Sequence, residues 1–178
     1  MRGLGGEWTR WMLAVAVLLA VGATTTTVAD GADDSEGSEG ESMESLTREQ
    51  LEDLATRYAA AWSGGDPDAL AAFYAEGGSL KVNDGEPSVG REAISATAAS
   101  FMEAFPDMEV VMESVSGEGA RATFHWNGTG PNTGPDGTGR SVDLRGYEER
   151  TLSPEGLIEQ SLGHYDAAEY ERQLDGDG

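Results

Sequence analysis

The spacing of apolar residues changes once along the chain, and this change limits the folds that the chain can adopt. Before Pro106, apolar residues recur every three or four positions, as on one face of an α-helix. After Pro106, they recur every two positions, as on one face of a β-strand. Helices followed by hairpin-connected strands are typical of α+β proteins. We therefore predict an α+β fold, with about three helices packed on one face of a curved antiparallel or mixed β-sheet.

Local signals place the ends of the helices. Thr47 and Gln50 form a capping-box pair at the start of the first helix. Asp66-Pro67 begins the second helix, and Gly77-Gly78 is predicted to end it. A third helix is predicted over residues 91–105.

The strands are predicted from alternation. Residues 127–139 hold five Gly and two Pro and are predicted to form a loop. On the last strand, Ile158 and Leu162 are predicted to share the inner face with His164 and Asp166. The predicted strands lie at residues 79–82, 108–115, about 122–126, about 142–148 and 158–166.

The strong negative charge of the chain excludes one class of partner. Asp and Glu number 33 against 11 Lys and Arg, for a formal net charge of −22. Such a surface repels phosphate backbones and anionic lipid head groups, so we expect no nucleic-acid partner. Lys81 is the single lysine, which fits either a salt-adapted, halophilic protein or a genome that encodes Arg in place of Lys.

The chain lacks cysteine and has two histidines, His125 and His164. Disulfides and thiolate nucleophiles are therefore excluded, and so is a His-rich metal site. A carboxylate-rich metal site stays open on composition. We expect neither a metal nor a cofactor.

The first 44 residues indicate export. Residues 1–29 combine Arg2 and Arg10 with an apolar run of eleven residues, 11–21, and small residues after it. This run is short for a bilayer-spanning helix, which needs about 20 apolar residues, so we predict a signal peptide; the alternative is an uncleaved anchor. Residues 30–44 hold seven acids and no base and are predicted to be a disordered linker. The folded domain is predicted over residues 45–178, in a secreted or envelope-facing protein without other membrane contact.

Four stretches of the predicted domain carry a family resemblance. They are residues 58–75, residues 90–107 with Ala-Phe-Pro-Asp at their end, residues 126–140, and residues 156–174. In their order and spacing they resemble the SnoaL-like polyketide cyclases of the nuclear transport factor 2-like superfamily. The resemblance implies a cone-shaped fold, in which a bent sheet wraps around a cavity for a small apolar molecule. It also implies a homodimer formed through the open face of the sheet.

Asp166 and His164 are the predicted catalytic residues. Asp166 matches the general acid/base near the end of the last strand in the cyclases that the chain resembles. Alternation also directs it into the apolar cavity, where burial favours the protonated carboxyl that acid/base chemistry requires. His164, on the same predicted face, is expected to orient a substrate carbonyl or to share a proton with Asp166. The alternatives are that Asp166 caps the following segment and that His164 is a polar residue at the cavity rim.

Further residues are predicted to bind the substrate. Asn132 occupies the place of a loop histidine in the cyclases that the chain resembles, and it is expected to hold an enolate oxygen beside His164. Glu148 alternates with apolar residues of its strand and would supply a second carboxylate, although a solvated rim position is the alternative. The predicted cavity wall consists of Tyr58, Trp62, Tyr74, Trp126 and Leu162.

Two functions fit these residues. The first is cofactor-independent acid/base chemistry on an apolar carbonyl compound, as aldol-type cyclisation or isomerisation. The second is a non-catalytic, exported binding module for a small molecule. They are distinguished by whether Asp166 lies inside the pocket.

Overall fold

The structure, a computed structural model, describes residues 46–176. The predicted signal peptide and linker lie outside the described residues and stay predictions. The described residues form four helices and one sheet of six strands. The helices are α1 (Arg48–Ser63), α2 (Pro67–Ala71), α3 (Arg91–Ala104) and α4 (Ala167–Asp175). The strands are β1 (Tyr74–Val82), β2 (Ser88–Val89), β3 (Glu109–Glu118), β4 (Arg121–Pro131), β5 (Ser141–Leu152) and β6 (Ile158–Tyr165).

The sheet is mixed, and the helices pack against its inner face. Its strand order is β2-β1-β6-β5-β4-β3, and every neighbouring pair is antiparallel except β1 and β6, which run parallel. The predicted α+β class is confirmed. In the described part of the chain, no helix is both long and apolar enough to cross a membrane.

The helix starts follow the sequence signals. Thr47 Oγ1 accepts a hydrogen bond from Gln50 N, and Gln50 Oε1 accepts one from Thr47 N, which completes the predicted capping box of α1. Asp66 Oδ1 accepts from Ala69 N at the start of α2. These short-range contacts depend on neighbouring residues only, which is why the sequence indicates them.

Two predicted boundaries are wrong, and glycine is the reason in both. Gly77 and Gly78 lie inside β1 and do not end a helix. A Cβ on Gly78 would lie 2.6 Å from Ile158 O, so glycine lets β1 approach β6 closely. Likewise β4 continues through Pro131, although residues 127–131 were predicted as loop. Gly130 packs against the backbone of Met108, where a Cβ would stand 3.1 Å from its Cα.

A β-bulge in β6 changes which side chains face the helices. Thr151 pairs with Gln160 but Leu152 pairs with Ile158, so Glu159 is the extra residue. An extra residue reverses the alternation beyond it. Consequently Ser161 and Gly163 are buried on the inner face, whereas Leu162 pairs with Glu149 on the outer face.

Side-chain amides join two peripheral segments to the rest of the fold. Gln173 of α4 donates to Asp143 O and accepts from Asp143 N, which holds α4 against the start of β5. Asn132 Nδ2 donates to Ala104 O at the end of α3, and Asn132 Oδ1 accepts from Thr138 N. These hydrogen bonds fix α4 and the loop at residues 132–140 beside the cavity.

Candidate functional site

An apolar pocket lies between α1, α3 and the inner face of the sheet. Its volume is about 140 Å³, close to an engineered cavity of about 150 Å³ that admits benzene. Its aromatic wall includes Tyr58, Trp62, Phe101, Phe124, Trp126 and Tyr165. A pocket of this size and lining suits a small, mostly apolar molecule.

A buried ion pair forms the polar part of the wall. Glu148 and Arg150 alternate inward on β5, and only 7% and 3% of these residues are exposed. Arg150 Nε and Nη2 donate to Glu148 Oε2 at 3.0 and 2.7 Å, and Ser161 Oγ lies 2.5 Å from the same oxygen. Oε1 receives no hydrogen bond from any described residue. The carboxylate therefore keeps one oxygen for another partner.

Two aromatic rings hold the guanidinium of Arg150 in place. Its Cζ lies 3.8 Å from the ring centroid of Tyr58 and 4.0 Å from that of Phe124, which are cation–π contacts with both rings. Burial is the largest single influence and lowers the pKa of Arg150, but the interactions with Glu148, Tyr58 and Tyr74 together outweigh it and hold the pKa above its ordinary value. Arg150 therefore remains a cation, with the Glu148 side chain as its partner, in a largely apolar wall.

A pair of tyrosine hydroxyls lies behind this wall. Tyr58 Oη and Tyr74 Oη are 2.9 Å apart and buried. Burial raises the pKa of both phenols well above the ordinary value, and the nearby charge of Glu148 adds to the shift. Both phenols remain protonated and can act as hydrogen-bond donors.

Asp166 lies outside the pocket, and its predicted position in the cavity is wrong. It follows β6 as the N-cap of α4, where its Oδ1 accepts from Glu169 N at 3.0 Å. Its side chain is exposed. The alternative stated from the sequence, capping, describes its contact. A catalytic role of Asp166 needs a position in the cavity, so this location does not support it; the role itself, which also follows from the family resemblance, stays a prediction.

His164 and Leu162 lie on the outer face, so their predicted inward positions are also wrong. The bulge at Glu159 reverses the alternation before both residues. The His164 ring stacks on Tyr147 with the centroids 4.7 Å apart, and its Nε2 lies 3.4 Å from Glu149 Oε2. His164 and Asp166 are thus not brought together around a ligand.

Asn132 and Tyr74 are buried but do not line the pocket. Asn132 uses its side-chain amide to join the loop at residues 132–140 to α3. Tyr74 is fully buried beneath Tyr58. Neither side chain is therefore in a position to contact a substrate in the pocket. Asn132 holds the loop, and Tyr74 supports Tyr58 in the pocket wall.

The structure places Tyr58, Trp62, Trp126 and Glu148 in the pocket wall, as spacing and alternation predict. Binding of a ligand by them stays a prediction. Sequence reasoning missed Arg150, although the alternation that directs Glu148 inward directs Arg150 inward as well. A charged pair two positions apart on one apolar strand face was the signal that would have found it.

No group of three or more His, Asp or Glu that could hold a metal ion occurs within residues 46–176. The absence of a cofactor stays a prediction from the sequence.

Comparison with known proteins identifies the family. The sequence model of the SnoaL-like domain matches residues 55–160, and the chain belongs to this family. No curated protein matches the chain.

Solved structures share the fold. A SnoaL-like polyketide cyclase, so described, from Jannaschia sp. CCS1 is 22% identical, with a TM-score of 0.63 over 71% of this chain and 92% of its own. A protein with a ketosteroid isomerase-like fold from Catenulispora acidiphila, in complex with trimethylamine, is 21% identical, with a TM-score of 0.62 over 68% of this chain and 92% of its own. A polyketide cyclase, so described, from Xanthomonas campestris pv. campestris is 25% identical, with a TM-score of 0.57 over 71% of this chain and 98% of its own.

Proposed function

We propose that this domain binds a small, mostly apolar molecule in the pocket, with the polar end of the ligand beside Glu148 and Arg150. The observation that carries the proposal is an apolar cavity of about 140 Å³ with one buried ion pair in its wall. Apolar walls contribute affinity, and a few polar groups fix the orientation of a ligand.

The cost of burying the pair supports a functional role for it. Replacing a buried ion pair by apolar residues of similar volume is often neutral or stabilising, so folding alone is a weak reason to keep one. The cation–π contacts and the hydrogen bond from Ser161 hold Glu148 and Arg150 in one geometry. Charged groups held rigidly in a cleft are candidates for recognition or catalysis.

Catalysis by Glu148 is the second candidate. All three hydrogen bonds that Glu148 accepts go to Oε2, which leaves Oε1 to act as a base. Oε1 would remove a proton from the carbon next to a ligand carbonyl, so that the C–H electron pair forms a C=C bond and the C=O π pair moves onto the carbonyl oxygen. With a β,γ-unsaturated ketone, return of the proton from Glu148 to the γ-carbon gives isomerisation. With a second carbonyl in the ligand, the enolate carbon attacks it, the new alkoxide takes the proton back from Glu148, and the result is aldol-type cyclisation. Solved relatives described as cyclases and as isomerase-like share this fold.

Deuterium exchange on a simple ketone tests both candidates. The full chain is incubated with acetophenone in deuterated buffer, and NMR follows binding and the loss of methyl protons. A binding module binds acetophenone without accelerating exchange. A Glu148 base accelerates exchange, and Glu148→Gln abolishes the acceleration while binding persists. Asp166→Asn is the matched control, because it preserves the helix cap and should change neither signal. Loss of exchange in Asp166→Asn alone would return the catalytic role to Asp166, and failure of small aromatic molecules to bind at all would refute the proposed function.

We further propose that the protein acts outside the cytosol and pairs through the outer sheet face. Residues 1–29 support export, and sequencing the N-terminus of the protein from its host would test cleavage. Val111 and Tyr147 support pairing, since 58% and 39% of these large residues are exposed. Sedimentation at high salt gives the oligomeric state.

A further inference from the structure

Two hydrogen-bond donors in the pocket wall have no partner. Trp126 Nε1 and Arg150 Nη1 are both buried, and no described residue accepts a hydrogen bond from either. Both residues line the pocket, Trp126 from β4 and Arg150 from β5. Burying a donor without an acceptor destabilises the folded state, so each such group in a native protein requires an explanation. A ligand that supplies acceptors would give one.

The charges of the wall limit the ligand further. Glu148 and Arg150 neutralise each other, at 2.7 Å between Oε2 and Nη2. A charged ligand would enter an apolar pocket in which both charges are already paired, and its own charge would lose hydration without compensation. A neutral molecule avoids this loss.

We propose that the pocket takes a neutral, oxygen-bearing molecule whose acceptor oxygens bind Trp126 Nε1 and Arg150 Nη1. The proposal rests on the small-molecule function proposed above and narrows it to a ligand class. The cavity limits the ligand to about the size of a substituted benzene. Acceptor oxygens of a ketone, ester or ether satisfy both donors, whereas a hydrocarbon satisfies neither.

The two donors are covered by the side chains around them. Both nitrogens are screened from solvent, so a ligand oxygen reaches them only when wall side chains adjust. Trp126 lies over Gly146 of β5 and beside Gly128 of β4, where added Cβ atoms would stand 2.3 and 3.4 Å from its ring. Since neither neighbour has a side chain, the indole packs directly on the strand backbone at the edge of the pocket wall.

Four ligands on one ring scaffold test the ligand class. The full chain is titrated at constant salt with toluene, acetophenone, benzoate and benzylammonium, and NMR gives each dissociation constant. We expect acetophenone to bind at least about tenfold more tightly than toluene, since one good hydrogen bond to a buried donor accounts for that ratio. The two ions should bind more weakly than toluene. The indole N–H resonance of Trp126 should move with acetophenone and not with toluene.

Matched variants test whether the preference for acetophenone over toluene depends on Trp126. Trp126→Phe keeps an aromatic ring but removes the donor, and it should reduce the preference for acetophenone several-fold. Tyr147→Phe, on the outer face of the sheet, should leave the preference unchanged. Equal binding of toluene and acetophenone, or tighter binding of either ion, would overturn the ligand class while the pocket function stands. Absence of binding by all four would overturn both. If Trp126→Phe does not fold, the proposal is decided by two wild-type measurements. These are the ratios of the four dissociation constants and the shift of the Trp126 indole N–H resonance.

Discussion

The ion pair in the pocket wall makes a sharp prediction about stability. Arg150→Met removes both hydrogen bonds to Glu148, a residue that is only 7% exposed, and leaves Ser161 as the remaining donor to its carboxylate. Breaking a buried pair in this way costs about 3–5 kcal/mol. Two cation–π contacts are also lost, although sulfur–aromatic contacts of the new methionine offset part of that loss. We expect the free energy of unfolding to fall by about 4 kcal/mol.

A second substitution should restore stability. Adding Glu148→Gln to Arg150→Met removes the uncompensated charge, so the double variant should be more stable than Arg150→Met alone by about 2 kcal/mol. Urea unfolding of Arg150→Met, of Glu148→Gln and of the double variant, followed by circular dichroism and tryptophan fluorescence at fixed salt, gives the three differences from wild type. If Glu148→Gln restores stability to Arg150→Met, the loss of stability in Arg150→Met arises from the carboxylate that has lost its partner.

An exposed ion pair between Arg145 of the same strand, β5, and Glu113 of β3 is the matched control. Arg145 Nε lies 2.9 Å from Glu113 Oε1, but 72% and 37% of these side chains are exposed. Arg145→Met should therefore reduce the free energy of unfolding far less than Arg150→Met does, because water screens an exposed pair. The reasoning is refuted if Arg150→Met costs no more than Arg145→Met, or if adding Glu148→Gln lowers stability further.

Four further expectations follow from individual contacts. Asn132→Ala should cost about 2 kcal/mol, because two buried hydrogen bonds are lost, and hydrogen exchange at residues 132–140 should accelerate; the exposed neighbour Thr133→Ala should change neither. Asp166→Ala should cost about 1 kcal/mol in unfolding experiments, whereas Asp166→Asn should cost almost nothing, and a larger loss in Asn would contradict a simple cap. Burial raises the pKa of Tyr58 in the folded state. The contribution of Tyr58 to the free energy of unfolding is therefore complete below about pH 10 and is lost as the pH rises toward the folded-state pKa. In Tyr58→Phe, the loss of stability at alkaline pH should be less steep, by up to about 1.4 kcal/mol per pH unit. Gly146→Ala should weaken ligand binding in the same NMR titration, because its Cβ would lie 2.3 Å from the neighbouring indole ring, and unchanged affinity would show that the ring position is unimportant.

Most of the fold follows from signals that act over a few residues. The capping box at Thr47, the cap at Asp66 and the change of period after Pro106 depend on neighbours in the chain, and the structure contains the corresponding elements. The inward position of Glu148 follows from alternation in β5, which is regular throughout its pairing with β4. Glycine was a poor guide to the ends of helices and strands. In β1 and β4 it does not form a turn but lets the strand approach a segment that is distant in sequence.

The candidate site depended on longer-range information. A single extra residue, Glu159, reversed the alternation in β6 and moved His164 to the outer face. That bulge is defined by pairing with β5, which no local pattern in β6 indicates. The capping contact of Asp166 likewise required knowing that α4 begins directly after the strand.

The sequence by itself determined the family, the α+β order of elements and the apolar character of the pocket wall, because periodicity and motif order are properties of the chain. Only the tertiary structure decided which polar groups meet inside the pocket. Arg150 lies between Tyr58 of α1 and Phe124 of β4, and Ser161 of β6 reaches the carboxylate of Glu148. These residues come from four elements distant in sequence, and strand register and helix packing bring them together.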